Sequence, residues 1–148
     1  MDKKILCTLL SLLLVFASFS VSFASSDPGT TFTAVVEPAS LVESNEAQEV
    51  KVTIDADRIV SIDGLGMDLD IPAGWEIISI SNNDLEFTDD DYALRVGQKD
   101  IGRVCWSDSS ARTVKATNMV VAVYRIPAGT PAGVYSVKAH DFELTHNY

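Results

Sequence analysis

The sequence predicts an all-β chain folded as an antiparallel β-sandwich with jelly-roll topology. Three observations carry that expectation. Apolar side chains recur at every second residue in segment after segment, glycine, proline or acidic turns separate the segments, and no stretch of ten or more residues shows helical spacing. About eight to nine short strands in one domain would then each bury one face between two layers.

Ile62 to Ser81 shows the pattern most plainly. Leu65, Met67, Leu69 and Ile71 alternate with Gly66, Asp68 and Asp70, so an extended backbone puts the apolar side chains on one face and the carboxylates on the other. Asp68 and Asp70 therefore read as residues that keep an exposed face polar. Pro72-Ala73-Gly74 ends the ladder, because proline lacks the donor and glycine invites a bend, and Trp75 to Ser81 resumes the extended pattern. Two long strands flank a corner.

The other elements follow in order. Phe32 to Glu37 reads as a first strand ended by Pro38, and Glu49 to Asp55 alternates Val50, Val52 and Ile54 with Lys51, Thr53 and Asp55. Asn82 to Asp91 is an acidic loop and Tyr92 to Val96 a short strand. Arg103 to Ser107 is a strand with Val104 and Trp106 on the core side and Arg103, Cys105 and Ser107 on the other; Asp108 to Arg112 reads as a loop. Ala116 to Ile126 is the most continuous apolar run, as expected of a central strand. Gly133 to Ala139 and Asp141 to Thr145 read as two further strands.

Residues 1–24 stand apart from the domain. Lys3 and Lys4 precede an almost unbroken apolar run from Ile5 to Ala17, and Ser22-Phe23-Ala24 has the small-x-small form of a cleavage site, so a secretory signal peptide is predicted, with no membrane anchor. Residues 25–31 form a short polar leader, and 32–148 the sandwich. The whole chain carries a formal charge of −10. That balance argues against nucleic acid or an anionic membrane surface as a partner, since both need clustered lysine and arginine. Cys105 is the one cysteine beyond the signal segment. The core must therefore hold without an internal disulfide.

Few residues suggest chemistry. Asp84, Glu86, Asp89, Asp90 and Asp91 form the densest acidic group, and Asp89, Asp90 and Asp91 are the calcium candidate, although runs of acids are usually solvated loops. His140 and His146 have no third ligand patterned beside them, so their spacing points to no zinc site. No nucleophile elbow or phosphate loop is present in the sequence, and no catalytic residue or resident cofactor is expected. Trp75 and Tyr92 are the aromatic residues most open to stacking on sugar rings, although a corner tryptophan more readily caps the end of a sandwich.

The stretches TFTAVVEPASLVESNEAQEVKVTID, IDGLGMDLDIPAGWEIISIS, GRVCWSDSS and NMVVAVYRIPAGTPAGVYSVKA together resemble a cohesin domain, the dockerin-binding module of cellulosome scaffoldins. The resemblance implies a jelly-roll sandwich related to carbohydrate-binding modules. It also implies a non-catalytic module that binds a dockerin in an extracellular polysaccharide-degrading system, through its third, fifth and sixth strands. Carried over to this sequence, the contact residues are Asp68, Asp70, Tyr92, Leu94, Arg103, Cys105, Ser107 and Asp108. The family's ninth strand, which follows a glycine-rich turn, has no counterpart in the residues up to Tyr148. Direct binding to polysaccharide, or a structural or adhesive surface role, are the alternative expectations.

Overall fold

The computed structural model describes residues 14–15, 30–82, 84–85, 87, 91–94 and 100–145. Eight strands build its two sheets: β1 (Phe32–Glu37), β2 (Gln48–Ala56), β3 (Val60–Asp70), β4 (Glu76–Ser81), β5 (Tyr92–Leu94), β6 (Ile101–Val114), β7 (Val120–Ile126) and β8 (Ala139–Thr145). One sheet has the order β8-β3-β6-β5 and the other β1-β2-β7-β4, and all pairings are antiparallel. The chain changes sheet at every connection except β1–β2 and β5–β6, the winding expected of a jelly roll. No α-helix occurs among the described residues. A two-residue ladder, Leu14–Val15 with Ser40–Leu41, is separate from both sheets; the rest of the predicted signal segment lies outside the described residues.

Alternation decides which side chains fill the space between the layers. Leu65, Met67 and Leu69 on β3 and Val104 and Trp106 on β6 share one buried cluster with Val50, Val52 and Ile54 on β2 and Val120, Ala122, Tyr124 and Ile126 on β7. Each large side chain removed from water in this way contributes about 1.5–3 kcal/mol, so period-two burial supplies the main force holding the sheets together. Phe32 and Phe142 stack with ring centroids 4.3 Å apart, joining β1 to β8 along one edge of the sandwich. Tyr124 is fully buried and donates its hydroxyl to the Asp70 carbonyl at 3.1 Å. Burial pushes this phenol far above its ordinary range.

The Pro72-Ala73-Gly74 corner carries the chain from β3 to β4, and so from one sheet to the other. Gly74 has φ 84°, a left-handed conformation that costs glycine little, and the Trp75 amide donates to the Pro72 carbonyl at 2.9 Å to close the turn.

Three boundaries differ from the sequence reading. Asp108 to Arg112 does not end the strand: β6 runs on through Val114 and pairs again with β3 at Val60–Val114, Ser61–Thr113 and Ile62–Arg112, while a register shift leaves residues 108–111 without a β3 partner. Residues 116–119 turn, with Asn118 at φ 54°, so the central strand starts at Val120 rather than Ala116. Gly133 to Lys138 is irregular, and a single strand follows from Ala139. Val134 is 76 % exposed, and the Tyr135 hydroxyl bonds the Pro131 carbonyl at 2.7 Å, so this segment folds on itself instead of joining a ladder.

Candidate functional site

Strand phase lays out the outer side of the β8-β3-β6-β5 sheet. On β6, Val104 and Trp106 turn into the core, which leaves Arg103, Cys105 and Ser107 pointing outward. Register then fixes their neighbours. Asp68 stands opposite Arg103, Gly66 opposite Cys105 and Gly64 opposite Ser107. On the far side of β3, His140 stands opposite Asp68, Glu143 opposite Gly66 and Thr145 opposite Gly64.

The two glycines make room for what lies over them. A Cβ on Gly66 would come 2.8 Å from Arg103 Nη2 and 3.2 Å from Glu143 Oε2, and one on Gly64 would overlap the Thr145 hydroxyl. Arg103 uses that space to lie across β3. Its Nη1 donates to Asp68 Oδ1 and its Nη2 to Glu143 Oε2, both at 3.0 Å.

Asp68 is consequently 0 % exposed, which corrects the expectation of an exposed carboxylate there. The reason is the arginine, whose long stem covers the acid while its head replaces water with a charge-assisted hydrogen bond. Burial opposes the charge on Arg103, but the Asp68 hydrogen bond and the nearby Glu143 hold the guanidinium above its ordinary pKa.

His140 extends the cluster. Its Nε2 lies 3.0 Å from Asp70 Oδ1 and its Nδ1 3.4 Å from Asp141 Oδ2. The β8–β3 register shifts between His140 and Glu143, and Asp141 has φ 52°, so a bulge brings two consecutive side chains together where a regular strand would separate them.

The remaining predicted residues divide. Cys105 and Ser107 are exposed on the outer face as expected, and Asp70 is partly exposed there. Tyr92 is not on that face. It stands opposite the buried Val104, packs against the core, and lies so close to Gly102 that a Cβ there would come 2.6 Å from its ring. Burial raises its phenol above the ordinary value. Leu94 pairs through its backbone with Gly102, and its side chain lies outside the described residues.

Asp108 sits within β6 rather than at its exit. It accepts from Arg112 Nε at 2.8 Å and from the Ser110 amide at 3.2 Å, which hold its carboxyl below the ordinary range. Trp75 is buried against Tyr124 and Tyr135, with centroids 6.4 and 5.2 Å away, and closes the sandwich end instead of offering a stacking surface. Of the calcium candidates, Asp89 and Asp90 lie outside the described residues and Asp91 is partly buried. Their neighbour Asp84 is engaged by Lys115, whose amide donates to it at 2.8 Å and whose ammonium lies 3.3 Å away.

Sequence reasoning missed His140, Asp141 and Glu143 as partners of Asp68 and Arg103. Spacing set His140 beside His146, which lies outside the described residues, whereas register sets it beside Asp68. No local signal spans the 70 residues between Asp70 and His140. No protein-family model matches the chain, and no curated protein or solved structure matches it either.

Proposed function

We propose that the chain is an exported, non-catalytic binding module of cohesin type, which offers the outer side of its β8-β3-β6-β5 sheet to a dockerin-bearing protein in an extracellular polysaccharide-degrading system. One observation carries the reading. The third, fifth and sixth strands, which the cohesin resemblance assigns to partner contact, are direct neighbours in a single sheet. At the middle of that sheet the small side chains of Cys105 and Ser107, opposite Gly66 and Gly64 in register, are exposed to a partner. A surface of this kind can form an interface of standard size without a deep pocket.

The buried Asp68–Arg103 pair serves that surface as a rigid base. A partner therefore meets Cys105, Ser107 and the rim of the charged cluster, while Tyr92 and Trp75 contribute from beneath through packing.

A pull-down against a panel of dockerins tests the proposal. Capture by at least one dockerin is expected, and Cys105→Arg with Ser107→Arg should weaken it about a hundredfold or more, since bulk and charge at the centre of an interface act on its strongest contacts. Glu76→Arg, on the opposite sheet, should leave capture unchanged. Failure of every dockerin to bind overturns the reading, and retention on cellulose or xylan instead would replace it with direct polysaccharide binding.

A further inference from the structure

The His140 ring is held between two groups that can only accept protons. The Asp70 carboxylate at 3.0 Å requires Nε2 to carry a hydrogen, so a neutral ring presents the Nδ1 lone pair to Asp141 Oδ2 at 3.4 Å. Two lone pairs facing each other call for a cation between them. A proton on Nδ1 is one answer and a metal ion the other.

Three features favour the metal. Two ligands of a tetrahedral ion with bonds of about 2.0–2.1 Å stand roughly 3.4 Å apart, which is the His140–Asp141 separation. Among the described residues, Asp68, His140 and Asp141 place one ligand atom each within 4.8 Å of one another. The carboxylates of Asp68 and Glu143 meet the Arg103 guanidinium and those of Asp70 and Asp141 meet the His140 ring, so four acids gather around one imidazole and one guanidinium.

We propose that Asp68, His140 and Asp141 form a binding site for a late first-row divalent cation, with Zn2+ as its representative. The nitrogen ligand selects this class over calcium or magnesium, which prefer oxygen-only sets. Asp70 is the positioning residue, since a carboxylate on the far nitrogen fixes the tautomer and orientation of a metal-binding histidine. Arg103 donates to Asp68 Oδ1, so the ion would share this acid with the guanidinium. A bound ion would tie the bulge of edge strand β8 to β3, beside the proposed partner face but independent of any partner.

Calorimetric titration of the tag-free, chelator-stripped full chain with zinc chloride tests the site. One equivalent is expected to bind; His140→Ala and Asp141→Asn should each weaken it about tenfold or more, and Asp70→Asn by about 10–100-fold. Should a variant fail to fold, the ring signals of His140 in the wild-type NMR spectrum decide, because they must shift in step with added zinc. No binding, binding that survives His140→Ala unchanged, or His140 signals indifferent to zinc would overturn the proposal.

Discussion

The two outer faces of the sandwich carry ion pairs of the same chemistry at opposite extremes of burial. On the β1-β2-β7-β4 sheet, Lys51–Glu37 and Arg125–Glu76 each stand directly opposite in register and meet at 2.7 Å, with side chains 47–59 % exposed. On the other sheet Arg103–Asp68 also stand directly opposite and meet at a longer 3.0 Å, yet the acid is wholly buried. Distance alone would rank the exposed pairs as stronger. Solvent reverses the order of consequence, because water screens exposed charges while a buried charge depends on its partner.

The difference arises from what surrounds each pair. Gly66 leaves space for the Arg103 head, and the bulged β8 brings His140, Asp141 and Glu143 over the same spot.

Arg103→Ala should produce the largest effect, destabilising the fold by about 3–5 kcal/mol in urea unfolding, since it leaves a buried carboxylate without its guanidinium. Lys51→Ala and Arg125→Ala should each cost at most about 1 kcal/mol, and that small loss should shrink further in high salt. Equal losses from Lys51→Ala and Arg103→Ala would show that burial does not distinguish the two faces.

The smallest expected effect concerns Asp108, a partly exposed acid on β6. Its pKa in the folded chain is depressed below the ordinary 3.8 by Arg112 and the Ser110 amide. The folded state therefore gives up this charge less readily than the unfolded chain, and the resulting stability is present above the ordinary value and lost as pH falls through the depressed one. In thermal melts from neutral pH down to about 2, Asp108→Asn should show a slightly shallower acid-side decline than the parent chain. An unchanged decline would mean that the Arg112 contact is too solvated to matter.

Much of the fold was legible in residue order. The alternation around Val50, Leu65, Met67, Val104 and Trp106 marked the buried side of three strands, and Pro72 to Gly74 marked the corner between sheets. Errors came where pairing overrides local character. Asp108 to Arg112 has the polar composition of a loop but lies within a strand that pairs with β3 on both sides of it, whereas Val134 to Val137 alternates like a strand yet joins no ladder. The candidate site was only half legible: Arg103, Cys105 and Ser107 share an outward phase on one strand, but nothing local announces that Asp68 will be covered or that Tyr92 will turn under the sheet.

By itself, the sequence determined which side chains go inside, because period-two alternation is a property of the extended backbone that each segment carries alone. Tertiary structure decided which outward residues meet. Strands that cross between sheets acquire neighbours from distant parts of the chain, and only those neighbours could turn Asp68 from a surface acid into a buried one and set His140 between Asp70 and Asp141.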